Sequence, residues 1–490
     1  MRLSATDFIT LYRPSYCDLR IFLHAQDVKA APQGPYEELL LKLGVRHEKN
    51  HLQTFADVVD LSSVNPGERV NRTRREIEQK ATVIYQGSFT AQAKLDGTDY
   101  IIVGQPDFLI WQGQGYVIRD SKISRRITKK DHPEILHQLN LYGWLYEKTV
   151  GCAPVRLEVH NGMGDLVAVE YDGAASALGV LNEIVRYRNV AEHFYSPVGW
   201  SKCTGCAYHP LCWPEAERRG DVAIIPEVDQ GLARTLTDSG VGTIKELLAK
   251  YDADSLAGVE RPYGKRRQKV GKKAERILLN ARAIHSSEEM ILERPQIPEH
   301  DNYVMFDLEG IPPYLDELDK IYLWGTQVFG RDPGEFHGAF AGFGADGDRD
   351  GWNRFLDRSQ TIFEKYGDIP FVHWHVYEKT NVRKYIERYG DSDGVAERVL
   401  NNLLDLHSVT TQSLVLPLPS YSLKAVEKYV GFKRQLEEGR GDWAIAKFIE
   451  ATEAEDPELR ERIVNDLLEY NREDLQATWT VFQWLKSKTA

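Results

Sequence analysis

Cysteine is scarce in this chain, with five in 490 residues. So few thiols, and an odd number of them, exclude a disulfide framework and fit a reducing cytosol, so a cytoplasmic location is expected. Long apolar runs are lacking as well. Nothing approaches the roughly 18 residues that a membrane span requires, and no membrane partner is expected. The start, MRLSATDFITLYRPSYC, has no basic head followed by an apolar block, so no secretory signal is expected. Excess positive charge is absent too: the net charge is −12, which argues against indiscriminate nucleic-acid binding but not against a local basic face. There is no fixed-period repeat, and no G-x-x-x-x-G-K-[ST] loop, so any duplex unwinding would fall to a helicase partner.

What is present is the composition of a soluble globular protein, 42% hydrophobic and 27% charged. The chain is too long for one ordinary core, and two or three domains are expected. One boundary lies near ERRGDVAIIPEVDQG and another near ERPQIPEHDN, where Pro295 and Pro298 interrupt a helical pattern before a fresh strand. The expected parts are residues 1–220, a small helical middle at 221–295, and 296–490.

Chemistry concentrates in four places. The first is VGQPDFLIWQGQGYVIRDSKIS, two strands joined by a glycine-containing turn. Asp120 and Lys122 stand two apart on the second strand and share a face, and Asp107 on the first can join them. Paired carboxylates suit Mg2+ or Mn2+, and a nearby lysine can orient a water. On spacing alone a surface Asp/Lys ladder is the better reading. Two features outweigh it: His47, a further candidate ligand in KLGVRHEKNHL, and Gln138 with Tyr142, four apart on one face of the helix HPEILHQLNLYGWLYE.

The second place is NYVMFDLEG, an apolar strand that ends in Asp307-x-Glu309, two carboxylates on one face. Far downstream Tyr470 and Asp474 lie one helical turn apart. Between them stand Glu378, opening a helix, and Asp405 in NNLLDLHSV. The third place is CTGCAYHPLC, holding Cys203, Cys206 and Cys212, with Cys17 far upstream and Cys152 reading as an ordinary buried thiol. The fourth is LTDSGVGTIKELL, a glycine turn between helices whose backbone N–H groups could face a phosphate, followed by the basic residues Lys265, Arg266, Arg267, Lys269, Lys272 and Lys273. That run is the candidate nucleic-acid contact.

In order, G-x-x-H, G-x-P-D, D-x-K and Q-x-x-x-Y resemble the RecB-like branch of PD-(D/E)XK nucleases. The resemblance implies that His47, Asp107 and Asp120 hold the metal, with the Ser121 carbonyl as an extra ligand. It also implies that Lys122 positions the hydrolytic water, while Gln138 and Tyr142 line the active-site helix. A subset of that branch carries a [4Fe–4S] cluster on one cysteine before the nuclease core and a C-x2-C-x5-C trio after it. Here these would be Cys17, Cys203, Cys206 and Cys212. Thiolates fit zinc or iron–sulfur on softness grounds, and a distant single plus a trio is unlike most zinc sites.

The Asp307, Glu309, Tyr470 and Asp474 order resembles DEDD-type 3′–5′ exonucleases of the RNase H-like fold, in the tyrosine variant. That implies two metals on Asp307, Glu309 and Asp474, and a water oriented by Tyr470. Where the family has aspartate this chain offers Glu378, with Asp405 as the alternative carboxylate.

The expected architecture is therefore α/β and multidomain. A restriction-endonuclease-like fold comes first, then a helix-hairpin-helix-like middle, then an RNase H-like fold. The expected activity is that of a metal-dependent exodeoxyribonuclease on single-stranded or end-frayed DNA, in repair or foreign-DNA defence. The alternatives are 3′–5′ trimming of DNA or RNA at the second site, or an adaptor with degenerate sites that recruits a helicase.

Overall fold

The computed structural model describes residues 1–490 except 33, 192–197, 264–265, 313–318, 343, 436–440 and 489–490. The chain divides into two compact units, residues 1–33 with 37–215, and residues 34–36 with 216–490.

In the first unit the anticipated hairpin forms. Phe108–Trp111 pairs antiparallel with Tyr116–Ser121, Phe108 opposite Arg119, around a turn in which Gly113 takes φ +74°. These two strands are central in a six-stranded mixed sheet, in the order Val59–Asp60, Val83–Tyr85, Phe108–Trp111, Tyr116–Ser121, Arg156–His160, Leu166–Val169. Every residue of Tyr116–Ser121 is buried, the apolar Tyr116, Val117 and Ile118 and the polar Arg119, Asp120 and Ser121 alike. Its next neighbour, Arg156–His160, is parallel to it, and a parallel pair needs a crossover. The helix Pro133–Val150 makes that crossover and stops at Gly151, whose φ of +88° suits a left-handed cap. Leu139, Leu145 and Tyr146 join Ile118 and Leu157 in one core, each burial contributing about 1.5–3 kcal/mol. The helix face bearing Gln138 is thereby pressed against the strand bearing Asp120.

In the second unit a five-stranded sheet runs His337–Phe340, Ile321–Gly330, Asn302–Gly310, Phe371–His373, Leu403–Asp405. The first three strands are antiparallel and the last two run parallel to the central one. Side chains of Asn302–Gly310 alternate between two cores. Val304, Phe306 and Leu308 enter one with Trp324 and Trp352; Tyr303 and Met305 enter the other with Leu475 and Phe482 of the long helix Pro457–Ser487. Period two then aims Asp307 and Glu309 at that helix.

Ahead of this sheet lie helices Gln230–Asp238, Ile244–Lys250, Ala253–Ala257 and Lys273–Ser286. The short strand Met290–Ile291 pairs with Leu414–Val415 and ties them to the sheet's domain. Thr243 caps Ile244–Lys250 in a capping box with Glu246. Among the described residues no helix is long and apolar enough to cross a membrane.

Candidate active sites

At the open end of the first unit's hairpin, three predicted residues meet. The Asp107 N–H donates to Asp120 Oδ1 at 3.1 Å, and the Ser121 N–H donates to Asp107 Oδ2 at 2.8 Å. Lys122 Nζ lies 2.9 Å from Asp120 Oδ2, with Asp120 buried and the Lys122 side chain 26% exposed. The Gln138 amide donates to both Asp120 Oδ2 and Tyr142 Oη at 2.8 Å, so the carboxylate ties helix to strand. Burial, then the charge of Asp120, holds the Asp107 carboxyl well above the usual carboxylate range. Burial presses Lys122 down, but the charges of Asp120 and Asp107 outweigh it and leave the ammonium above its ordinary range. Such shifts mark crowded carboxylates with a cation beside them, an arrangement found at functional sites.

His47 sits differently from the sequence expectation. Its ring stacks on His160 with centroids 4.4 Å apart, and His160 stacks on His51 at 3.8 Å. His47, Asp107 and Asp120 do not bring three ligand atoms within 4.8 Å of one another. The adjacent Glu48 reaches the site instead. It accepts from the Tyr85 hydroxyl at 2.7 Å and the Gln86 amide at 2.5 Å, and Gln86 also donates to Asp107 Oδ1 at 3.1 Å. The Glu48 charge contributes to raising Asp107. Sequence reasoning missed Glu48 because periodicity alone does not decide which of two adjacent helical residues faces a sheet. The Ser121 hydroxyl is engaged with His160 Nδ1 at 3.2 Å.

In the second unit Asp307, Glu309 and Asp474 bring their oxygens within 4.8 Å of one another, the one such group among the described residues. Burial and the charges of Asp474 and Glu309 push Asp307 well up, and burial with the charge of Asp474 pushes Glu309 up to about 8. Three carboxylates this close cannot all ionise without a cation, so their crowding fits a hard divalent ion.

Around them stand residues that the sequence did not single out. The Asn471 amide donates to Asp307 Oδ2 at 2.7 Å. Lys424 Nζ donates to Tyr470 Oη at 3.2 Å. Arg434 pairs with Asp474 and, at 2.6 Å, with Glu427. Tyr470 is buried, and burial with the Asp474 charge drives its hydroxyl far above the phenol range. It therefore stays protonated, a hydrogen-bond donor beside the trio.

Glu378 is buried, with Oε2 3.1 Å from His373 Nδ1; it lies outside the trio, although its charge acts on Asp307 and Glu309. Asp405 caps the helix Leu406–Ser413 through the Ser408 N–H and accepts from the His375 N–H, both at 3.1 Å. An oxygen occupied as a helix cap is a weaker ligand candidate than Glu378.

Residues 24–213 match the PD-(D/E)XK nuclease superfamily, and residues 304–486 match the RNase H superfamily. The chain carries one domain of each. Among solved structures it is similar to SSO0001, at 15% identity over 43% of this chain and 85% of that one, with a TM-score of 0.26. A candidate exonuclease from Eubacterium rectale is similar at 12% identity over 38% and 81%, with a TM-score of 0.25. A search of curated proteins finds no match.

The RNase H-like domain sets one strict steric condition. Gly325 lies opposite Asp307 in the strand pair, and a Cβ there would stand 1.7 Å from Asn471 Oδ1. Gly325→Ala is expected to displace Asn471 from Asp307, costing about 1–3 kcal/mol of stability by overpacking. A melting curve and a digestion assay in which the variant equals wild type would refute this.

In the PD-(D/E)XK domain Cys17 and the downstream trio come from the two ends of the domain's own sequence into one neighbourhood. Arg20 Nη1 lies 3.7 Å from Cys206 Sγ, and the Ala31 N–H donates to the Ala207 carbonyl at 2.9 Å. Burial pushes the Cys17 thiol up to about 11. Arg20 is 7% exposed and otherwise donates to the carbonyls of Thr10, Leu11 and Ser15. Among the described residues no carboxylate is paired with it. A buried guanidinium calls for an anion. Among the described residues no three cysteine sulfurs come within 4.8 Å of one another. Cys152, expected to be buried, is exposed, because it follows Gly151 past the end of a helix.

The middle segment departs from expectation in one respect. The N–H groups of the glycine turn are used internally: those of Gly242 and Thr243 both donate to Glu246 Oε2 at 2.9 Å, and that of Gly240 donates to the Thr237 carbonyl. They are not free for a phosphate. Arg266, Arg267 and Lys269 lie on the antiparallel ribbon Glu260–Tyr263 with Arg266–Lys269. Lys272 precedes the helix Lys273–Ser286, Lys273 pairs with Glu227 at 2.5 Å, and Lys265 lies outside the described residues.

Proposed function

We propose that this protein is a divalent-metal-dependent nuclease that hydrolyses DNA phosphodiester bonds, working exonucleolytically on single-stranded or end-frayed DNA in repair or in defence against foreign DNA. The observation that carries this reading is the meeting of Asp107, Asp120 and Lys122 at one strand end, held by Gln138 and Tyr142. Asp107 and Asp120, with Glu48 and His47 beside them, would hold Mg2+ or Mn2+. When bound, the ion polarises the scissile phosphate and acidifies a water. Lys122 turns its remaining N–H groups toward that water and faces the negative charge that builds on the phosphate. Gln138 fixes the orientation of the Asp120 carboxylate.

A second reading, 3′–5′ trimming of DNA or RNA, is favoured by the tight Asp307, Glu309 and Asp474 group. There Tyr470 orients the attacking water, with its hydroxyl held by Lys424. One assay separates the two: digestion of end-labelled and circular DNA and RNA with Mn2+ by wild type, Asp120→Ala and Asp307→Ala. Loss of all cleavage in Asp307→Ala alone would favour the second reading. No cleavage of any substrate by wild type would favour a nucleic-acid-binding adaptor.

Cys17, Cys203, Cys206 and Cys212 are proposed to hold a [4Fe–4S] cluster that staples the domain's first helices to its last. Protein purified without oxygen is expected to be brown and to carry about four irons per chain, both lost in Cys17→Ser. Stoichiometric zinc in place of iron would overturn this.

A further inference from the structure

We propose that the ribbon Glu260–Tyr263 with Arg266–Lys269 is a docking surface for single-stranded nucleic acid, with Tyr263 as a stacking platform for a base and Arg266 as a phosphate contact beside it. The proposal rests on the nuclease reading only for the substrate class, and its test is a binding measurement.

Tyr263 is 61% exposed, so its ring contributes little to any core. The Arg261 guanidinium lies over that ring, 5.0 Å from the centroid. Arg261 itself is 5% exposed and stands 2.9 Å from Asp229 Oδ2. The ribbon is also pressed onto the helix Gln230–Asp238, since a Cβ on Gly231 would lie 2.3 Å from the Pro262 carbonyl oxygen. One face of the ring is therefore backed by a fixed cation, while the ring remains largely open to solvent.

Cross-strand opposites share a face, and Arg266 is opposite Tyr263. All four residues of Arg266–Lys269 are exposed. Arg267 is drawn to Glu260 at 3.5 Å, whereas Arg266 and Lys269 form no ion pair among the described residues. An exposed aromatic with the unpaired Arg266 opposite it, in a chain of net charge −12, complements an anionic polymer that has free ring faces. Single strands offer both; in a duplex the bases are already stacked on one another.

The test is fluorescence anisotropy of a labelled single strand and of a duplex of equal length on the full chain, without divalent metal so that neither is cut. Tyr263→Ala is expected to weaken single-strand binding roughly tenfold and to leave duplex binding and the salt dependence unchanged. Tyr263→Phe should retain wild-type affinity. Arg266→Ala should lower the slope of log affinity on log salt by about 0.7. Wild-type affinity in Tyr263→Ala, or an equal loss for single strand and duplex, would overturn the proposal. A chain that binds single strands through Tyr263 yet digests nothing would leave the proposal standing and sink the nuclease reading instead.

Discussion

Lys122→Met is expected to slow digestion at the PD-(D/E)XK site roughly a thousandfold, the loss anticipated when a positioned proton-handling and charge-stabilising group is removed. The side chain has one visible task without substrate, its contact of 2.9 Å with Asp120 Oδ2. It has N–H groups to spare for water and phosphate. Removing one partner of a fully buried pair costs about 3–5 kcal/mol. Here the cost is smaller, because Lys122 is 26% exposed and Asp120 keeps Gln138 and the Asp107 N–H as donors. A melting curve near wild type beside lost cleavage would assign the effect to chemistry. Lys122→Arg should preserve the fold and the charge yet remain slow, because a planar guanidinium replaces a compact ammonium. If Lys122→Met digests every substrate at the wild-type rate, this site does not act.

Asp307→Asn is expected to remove digestion at the RNase H-like site while raising the melting temperature of the metal-free protein. The carboxylates of Asp307, Glu309 and Asp474 repel one another within 4.8 Å, and the amide relieves that repulsion with almost no change of shape. It can still accept from Asn471, which now donates to Asp307 Oδ2. For a domain of this size about 1 kcal/mol moves the melting temperature by about 2–4 °C. In wild type, Mn2+ at a hundred times its Kd should add about 2.7 kcal/mol, or about 5–10 °C. Asp307→Asn should lose most of the gain that belongs to this domain. A metal-induced shift that survives undiminished in that domain's unfolding step would show that the trio is not the ion's site.

The candidate sites were legible wherever a short period carried them. Asp120 with Lys122, and Asp307 with Glu309, stand two apart at the ends of apolar strands, and the pleat alone puts each pair on one face. Gln138 with Tyr142, and Tyr470 with Asp474, stand four apart on helices, with the same consequence. The glycine turn between helices in LTDSGVGTIKELL was legible too, and the helix after it opens at Thr243 with a capping box to Glu246. Illegible were the partners that arrive from elsewhere. Lys424, Arg434 and Asn471 surround the carboxylates of the RNase H-like domain from separate elements, and no local pattern marks them. Glu48 was hidden beside His47, where one residue's rotation about a helix axis decides which of the two meets Asp107.

Composition and local pattern therefore determined a multidomain α/β chain with two acidic strand ends, a trio of cysteines and a basic run. Each of these follows from neighbours in sequence, through the periods of strand and helix. Only the tertiary structure decided that Arg261 is buried against Asp229 behind the Tyr263 ring, that Lys424, Arg434 and Asn471 gather around the carboxylates of the RNase H-like domain, and that Cys17 lies near Cys206 beside a buried Arg20. The reason is physical. A buried charge, a spent donor or an exposed ring is defined by what packs against it, and those partners come from tens to hundreds of residues away.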